Sequence, residues 1–243
     1  MSVDTQISKA YFPELQCENL DELNMSQRAY VMLKSAIINN ELPMDVPISQ
    51  VKLAEQFGIS RTPLREAINK LEQECLIKNE TNKRIVIPKY TAEDIDQLLA
   101  MRITLECLAV RISALMMTEQ DLDELEEIFH RMQAAESQNP TIFSDIHREF
   151  HRKLCSKVGF HLKTEIEKMS QQAVRYQIIL LGAAPVDLKT HEKLLQACRA
   201  RDPKKISYEL AVHYGNVAVT VLNEFDPTYE PVAVRQALRI NTV

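Results

Sequence analysis

The scarcity of glycine is the feature that most limits what this chain can fold into. Only 4 glycines occur among 243 residues, whereas an average protein contains roughly 7% glycine. Glycine-rich phosphate loops, dinucleotide-binding fingerprints and all-β folds with many tight turns need more glycine than this. The sequence therefore favours a mostly helical fold.

Two further features bear on where the protein is located and on what its cysteines do. The amino terminus, MSVDTQISKAYF, lacks the apolar run of a secretion signal, and no apolar stretch approaches the roughly 20 residues of a membrane span. We therefore expect a cytoplasmic protein without membrane contact. The five cysteines are scattered and form no C-x-x-C pair, which predicts neither disulfides nor a cysteine zinc site. We interpret them as small apolar core residues, with Cys17 as a candidate reactive thiol in a polar tail.

Changes in pattern divide the chain into four segments. Residues 1–24 show no sustained periodicity and are predicted to form an arm, and residues 226–243 are predicted to form a tail without a docking partner. Residues 25–89 contain three helical patterns and two short β-branched runs. Residues 90–225 contain helical patterns alone, at roughly 92–117, 119–137, 141–157, 161–181, 187–200 and 203–224. We expect a winged helix-turn-helix with three helices and a small β-hairpin, followed by an all-α bundle of six to seven helices.

The order of elements in residues 25–89 is typical of DNA-binding proteins. Ser49 can cap a short helix that Gly58 ends, and Ser60 can cap the next helix. In a helix-turn-helix, the first residues of the second helix meet base edges in the major groove. This segment holds ten basic and seven acidic residues, although the whole chain has a net charge of -5.

Arginine side chains at the start of that second helix are the main candidates for base contacts. Arg61 and Arg65 lie one turn apart, and a guanidinium group matches the O6 and N7 acceptors of guanine. Charge alone would equally suit a solvated helix face, but the order of the elements favours DNA. The predicted DNA-contacting residues are Ser60, Arg61, Thr62 and Arg65 in the helix, and Lys83 and Arg84 in the wing.

Two of the six histidines have a spacing suited to a metal. His147 and His151 are four residues apart, so they share one face of a helix and can reach one ion. Their sequence, HREFH, differs from the H-E-x-x-H of zinc peptidases because Glu149 lies on the far side of the helix. A hydrolase would therefore lack its general base. His130 and His161 are expected to be ordinary surface or core residues.

The segment LAEQFGISRTPLREAINKLEQECLI resembles the winged-helix domain of the GntR family of bacterial transcription regulators, whose pattern is roughly LAe-x-lgvSRtPvReALx-x-Lex-eGLi. The resemblance implies that Arg61 and Arg65 contact double-stranded operator DNA and that the protein is a homodimer on a pseudo-palindromic site. The chain departs from the family pattern where Cys75 replaces a helix-ending glycine and Asn82 replaces a glycine of the wing. Asparagine tolerates positive φ, so the wing turn is expected to form.

The later stretches MRITLECLAVRISA, DIHREFHRKLCSKVG and THEKLLQACRARDPKKISYELAVHYGNV resemble the FCD effector domain of the FadR-like branch of that family. In many members an aspartate and three histidines hold a metal there. The resemblance places the three histidines at His151, His191 and His213, and His147 occupies the aspartate position. Asp145 lies about 240° around the helix from His151 and is not expected to substitute. Four candidate imidazoles favour a divalent transition metal, zinc foremost, with nickel or copper as alternatives.

A metal with open coordination positions could bind the carboxylate of a small organic acid. Arg102 and Arg175 are the candidate cationic partners of that effector, with Arg111 as a further candidate. Arg102 and Glu106 equally suit an ion pair between helix neighbours. The hypothesis is a transcription regulator controlled by an organic acid bound near a metal. Two alternatives stay open: a metal-independent sensor of an acyl chain or other apolar ligand, and a metal-dependent enzyme, for which no base or nucleophile is evident.

Overall fold

The computed structural model describes residues 23–38, 40–136, 140–181 and 187–242. The chain divides into two compact units, Met1–Lys89 and Tyr90–Val243. The fold is mostly helical, which confirms the predicted fold class. The predicted arm of residues 1–24 lies almost entirely outside the described residues.

The first unit contains three helices and a small antiparallel sheet in its described part. Its elements in chain order are α1 (Met25–Ile38), β1 (Ile48–Ser49), α2 (Gln50–Phe57), α3 (Arg61–Gln73), β2 (Lys78–Glu80) and β3 (Arg84–Val86). Strands β2 and β3 form the predicted hairpin, and β1 pairs with the other edge of β3, so the strand order is β1-β3-β2. Strand β1 was not predicted, because two residues are too few to show alternation.

Local backbone geometry sets the turn between α2 and α3. The Ser49 side chain accepts a hydrogen bond from the backbone N–H of Lys52, and Gly58 ends α2 in the left-handed conformation with φ of 64°. Ser60 precedes α3 as its N-cap residue, but its side chain makes no capping hydrogen bond within the described chain. That part of the prediction is therefore wrong, and the hydroxyl stays exposed. Asn82 adopts a φ of 64°, as expected for the wing turn.

An apolar core holds the first unit together. Its central side chains are at most 1% exposed and come from all three helices and β3: Leu33, Leu53, Leu64, Ile68 and Ile85. Burying side chains of this size stabilises a fold by about 1.5–3 kcal/mol each. Because this core takes one side of α3, the other side faces solvent.

A buried ion pair also fixes α3 against α1. The Lys34 ammonium of α1 lies 2.9 Å from the carboxylate of Glu74, which ends α3, and both groups bond to the Tyr30 hydroxyl at 2.6 Å. The Lys70 ammonium of α3 lies 3.8 Å from the centroid of the Tyr30 ring. These polar contacts orient the exposed face of α3.

The described residues of the second unit form seven helices. They are α4 (Ala92–Met116), α5 (Glu119–Ala135), α6 (Pro140–Leu154), α7 (Phe160–Leu181), α8 (Leu188–Arg199), α9 (Pro203–Phe225) and α10 (Val232–Asn241). Several begin where the sequence supplies a cap, as at the capping box of Thr91 with Asp94 before α4 and at Asp202 before α9. Helix α4 packs against α7, α9 and α10, while α5 packs against α6 and α8.

The segment predicted to be an undocked tail instead contains helix α10. The carboxylate of Asp96, which is buried in α4, accepts hydrogen bonds from the backbone N–H groups of Ala233 (2.8 Å) and Val234 (2.9 Å). These are two of the donors that the start of a helix leaves unsatisfied. At Gly215 of α9, a Cβ atom would lie 2.7 Å from the Leu238 side chain, so glycine permits the close packing of α10. The prediction of a tail overlooked the helical spacing of Val234, Ala237 and Asn241, and the sequence could not show that a distant helix supplies the cap.

The cysteines partly follow the expectation. Cys107, Cys155 and Cys198 are buried thiols, whereas Cys75 is exposed and adopts a φ of 58° in the turn after α3. Cys17 lies outside the described residues. Within the described ranges, no helix is both long and apolar enough to cross a membrane.

Candidate functional site

Helices α6, α8 and α9 bring four histidine side chains to one place in the second unit. His147 and His151 lie one turn apart on α6, His191 lies on α8 and His213 on α9. Each offers one ring nitrogen, and the four nitrogens lie within 4.8 Å of one another. The Nε2 atom of His151 is 3.0 Å from that of His147 and 3.2 Å from that of His191. Nitrogens that share one zinc ion, each about 2.0–2.1 Å from it, need similar separations.

Burial keeps these imidazoles in the neutral form that a metal requires. His151, His191 and His213 are buried, and His147 is half-buried. Burial lowers the pKa of all four, and the neighbouring histidines lower the pKa of His147, His151 and His213 further. A neutral imidazole has a free lone pair on one nitrogen and a proton on the other. The cluster can therefore present several lone pairs to one point.

Hydrogen bonds select which nitrogen carries the proton in two of the four rings. The Nδ1 atom of His191 lies 2.9 Å from the carbonyl oxygen of Asp187, so we assign it as the donor N–H. The Nδ1 atom of His151 lies 3.0 Å from the Tyr214 hydroxyl, to which we assign it as a donor. Both assignments leave Nε2 free to ligate. Such contacts orient ligand rings and raise their basicity in known metal sites.

An outer ring of polar groups supports His151. The Tyr214 hydroxyl donates to Oε2 of Glu106 at 2.7 Å and accepts from Arg102 at 3.0 Å. The other carboxylate oxygen of Glu106 accepts from Nε of Arg102 at 2.8 Å and from the Ser170 hydroxyl at 3.1 Å. Glu106 is almost fully buried, and these three donors satisfy its charge.

The donor set fits a borderline transition metal. Within the described chain, no carboxylate belongs to the group of four ligand atoms. Asp145 instead forms an ion pair with Arg148, and Glu149 binds Arg131 through two hydrogen bonds of 3.0 and 2.9 Å. Magnesium and calcium prefer oxygen ligands, whereas zinc, nickel and copper accept imidazole. The residues present therefore suit zinc, nickel or copper.

The arginines proposed as effector partners lie in different surroundings. Arg102 forms the ion pair with Glu106 that the sequence analysis offered as an alternative, and its guanidinium lies 4.2 Å from the centroid of the Tyr214 ring. Its positive charge contributes to lowering the pKa of three of the four histidines, so it belongs to their surroundings. Arg175 on α7 is almost fully buried, and burial lowers its pKa. Arg111 is half-buried on α4.

The first unit presents the predicted DNA-contacting residues to solvent. Four of them lie at the start of α3 and two in the wing, and all six are exposed: Ser60, Arg61, Thr62, Arg65, Lys83 and Arg84. The buried positions of α3, such as Leu64 and Ile68, alternate with this exposed face. The arrangement leaves the first turn of α3 available to a groove of DNA.

Three functional candidates were missed by the sequence analysis. Tyr214 and the backbone carbonyl of Asp187 bond to histidine rings, and Ser170 bonds to Glu106 behind them, but in the sequence each was only one more polar residue in a helical pattern. The position of Tyr214 directly after His213 was the one signal available. Support of this kind depends on contacts between helices and therefore needs the structure.

Two family models match the chain. The model of bacterial regulatory proteins of the gntR family matches residues 25–87, and the model of the FCD domain matches residues 97–216. The chain belongs to the gntR family and carries an FCD domain. It is a DNA-binding transcription regulator.

Curated relatives agree with this assignment, and a solved structure shares the fold. The chain is 26% identical over 198 residues to the HTH-type transcriptional regulator YdhC of Bacillus subtilis, a match that spans 77% of this chain and 86% of that protein. It is 25% identical over 202 residues to the HTH-type transcriptional repressor RspR of Escherichia coli, spanning 81% and 89%. The solved structure of E. coli McbR/YncC shares the fold with a TM-score of 0.69 at 21% identity, covering 84% of this chain and 100% of that one. The matching families and curated relatives are regulators and not enzymes.

Proposed function

We propose that this regulator binds an operator as a homodimer and that a small organic acid controls its affinity for DNA. In this proposal the acid binds beside a divalent transition metal in the FCD domain. The observation that carries the proposal is the convergence of four neutral imidazoles, with ligand atoms within 4.8 Å, in a DNA-binding regulator.

The metal would be held by His147, His151, His191 and His213, with zinc as the first candidate and nickel as the second. Four neutral ligands leave the full charge of a divalent ion uncompensated, so a bound ion would attract a carboxylate. Arg102 is part of the surroundings of the histidines, and Arg175 adds a buried positive charge on α7. In this proposal the two arginines are the cationic partners of the effector, and an acid at Arg102 would compete with Glu106 for its guanidinium.

The DNA-binding role falls to residues 25–89 and the sensing role to residues 90–225. Arg61 and Arg65 would read base edges from the start of α3, with Ser60 and Thr62 on phosphates. Lys83 and Arg84 would contact the backbone or the adjacent groove. A regulator of operators acts where the DNA is, so we place it in the cytoplasm.

Helix α4 offers the surface for dimerisation. Three apolar side chains recur every seven residues along it, and they are substantially exposed: Met101 at 47%, Leu108 at 48% and Leu115 at 75%. A heptad stripe on a 25-residue helix is the pattern by which two helices pack side by side. A second copy of this chain can bury it. Two copies would present two copies of α3 to the half-sites of a palindrome.

Control by an effector requires two states of the protein that differ in affinity for DNA. A ligand shifts such an equilibrium only by as much as it prefers one state over the other. In the proposed regulator, the acid prefers one arrangement of the helices that carry the histidines.

The proposal is tested by enriching random duplex DNA at one fixed, near-physiological salt concentration, because affinities for DNA depend steeply on salt. Wild type and the double variant Arg61→Ala/Arg65→Ala are compared, each with zinc and with a chelator. We expect a palindromic site that only wild type enriches, and each single variant should weaken operator binding by about 1–3 kcal/mol. The matched control is Lys52→Ala, which removes an exposed charge from α2 rather than from α3.

The enriched site then serves as a probe for organic acids. A titration with di- and tricarboxylates should change operator affinity in zinc-loaded protein and leave the metal-free protein unchanged. A response only to acyl chains, and equally with and without zinc, would replace the proposal by the metal-independent sensor. Enrichment of the same site by the double variant would refute the assignment of the two arginines.

A further inference from the structure

Tyr90 is the residue at which the chain enters the second unit, and helix α7 holds it in place. The backbone N–H of Tyr90 donates to the Tyr176 hydroxyl at 2.8 Å, and the Tyr90 hydroxyl donates to the side chain of Gln172 at 3.1 Å. The rings of Tyr90 and Tyr176 stack with centroids 5.3 Å apart. Helix α7 therefore fixes the position of the first residue of the second unit.

The same helix is bonded to the polar groups behind the histidines. Ser170 of α7 donates to Glu106 at 3.1 Å, Glu106 accepts from Tyr214 at 2.7 Å, and Tyr214 lies 3.0 Å from Nδ1 of His151. The series from His151 to Ser170 thus contains hydrogen bonds of ordinary length throughout.

The last residue of this series, Ser170, and the residue that binds the Tyr90 backbone, Tyr176, lie on one rigid element. Ser170 and Tyr176 both belong to the 22-residue helix α7 and are separated by about 9 Å along its axis, at 1.5 Å per residue. Ala173 and Tyr176 of this helix are buried in the core of the second unit. A small rotation or shift of α7 at Ser170 would therefore also move the groups that hold Tyr90.

The hydrogen bond between His151 and Tyr214 can run in either direction, depending on which of the two groups carries the proton. His151 ligates through Nε2 only when Nδ1 carries the proton, and in that form it donates to Tyr214, whose own proton then goes to Glu106. When His151 does not ligate, it can take the other tautomer and accept the proton of Tyr214 instead. Glu106 would then lose one of its three donors, which is costly for a buried carboxylate, and its hold on Ser170 would change.

We propose that helix α7 couples metal ligation at the four histidines to the hydrogen bonds that hold Tyr90. The coupling runs through the hydrogen-bonded series His151, Tyr214, Glu106 and Ser170. Ser170 and Glu106 are positioning residues in this scheme, because they touch neither ligand nor DNA. The inference rests on the proposed function, in which the four histidines hold a metal. It adds the contacts through which ligation by His151 would change the hydrogen bonds of Tyr90, the first residue of the second unit.

The test is hydrogen exchange of the Tyr90 backbone amide, whose N–H donates to Tyr176. Zinc is the probe, and full-length protein is measured with zinc and after chelation. In wild type, zinc should change the exchange rate by a factor in the range of roughly 5 to 150, as is usual for coupled sites. Ser170→Ala should reduce that factor to about twofold or less while zinc affinity stays within about threefold of wild type.

Two variants serve as controls. Ser170→Thr keeps a hydroxyl at the same position and should retain the response. Thr164→Ala removes a hydroxyl from the same helix whose hydrogen bond, among the described residues, goes to the backbone of Phe160, so it should also behave as wild type. An unchanged Tyr90 exchange rate on zinc binding to wild type would overturn the inference, as would a full response in Ser170→Ala.

The outcomes separate this inference from the proposed function. If the Tyr90 amide responds to zinc through Ser170 while operator affinity is insensitive to metals and acids, the route exists and the regulatory proposal fails. If operator affinity responds but Tyr90 does not, the function stands and the route is wrong. Wild type that binds no zinc at all would overturn both.

Discussion

Tyr214→Phe is the substitution that most sharply tests the support of the histidine centre. The hydroxyl accepts from His151 and Arg102 at 3.0 Å each and donates to Glu106 at 2.7 Å. Phenylalanine keeps the ring that packs 4.2 Å from the Arg102 guanidinium, so the change deletes the hydroxyl alone. The Nδ1–H of His151 then loses its acceptor in a buried site.

The size of the effect follows from two independent considerations. Leaving a buried polar group without a partner costs about 1–3 kcal/mol, and loss of an outer hydrogen bond to a metal ligand typically weakens metal binding 10- to 100-fold. These agree, since a tenfold change in affinity equals about 1.4 kcal/mol. We therefore expect zinc affinity to fall by roughly 10- to 100-fold in Tyr214→Phe.

The assay is competition for zinc against a chromophoric chelator at neutral pH, with folding checked separately by urea unfolding of the metal-free protein. The matched control is Tyr208→Phe, which deletes an exposed tyrosine hydroxyl from the same helix α9. It should leave zinc affinity unchanged. Equal zinc affinities in wild type and Tyr214→Phe would refute the role assigned to this hydroxyl.

Two further predictions concern assembly and stability. Leu108→Glu places a charge in the exposed stripe of α4 and should convert the dimer to monomers in sedimentation velocity, whereas Val232→Glu on the exposed face of α10 should not; a persisting dimer would exclude this stripe as the interface. The Lys157 ammonium, the backbone N–H of Thr118 and the Lys153 ammonium hold the pKa of Asp121 well below its usual range. The Asp121 carboxylate therefore stabilises the fold fully above its unfolded-state pKa of about 3.9. This stabilisation is lost as the pH falls through the lower pKa that the group has in the folded protein. Asp121→Asn should cost about 1–3 kcal/mol in urea unfolding at neutral pH, and the difference from wild type should shrink in acid; a difference independent of pH would contradict this origin.

The sequence predicted those parts of the fold that depend on local patterns. The helices follow apolar periodicity and recognisable caps, such as Gly58 after α2 and Asp202 before α9. The positive φ of Asn82 was expected from its side chain and the turn that surrounds it. Such features lie within a few neighbouring residues, so they can be predicted without knowledge of tertiary contacts.

The parts that were missed depend on distant residues. Helix α10 docks because Asp96, far away in the chain, satisfies the N–H groups at its start. Strand β1 exists only because β3 offers it an edge. Strand β1 leaves no periodic trace in its two residues. Helix α10 does show a local pattern, since Val234, Ala237 and Asn241 are buried at helical spacing, but the partner that caps it lies far away in the chain.

The histidine centre was predicted only in part from the residues themselves. The spacing of His147 and His151 indicated one shared face, but the addition of His191 and His213 came from the resemblance to the FCD domain. The structure adds the hydrogen bonds that select the tautomers of His151 and His191. Those contacts join different parts of the fold, and a single sequence does not reveal them.

The central claim is that four histidines constitute a metal centre, and elemental analysis of tag-free protein tests it most directly. We predict about one equivalent of zinc or nickel per chain in wild type, and loss of that metal in both His151→Ala and His191→Ala. His130→Ala, which removes an exposed histidine outside the cluster, should keep its metal. Metal-free wild type after zinc loading, or full occupancy in both cluster variants, would contradict the account.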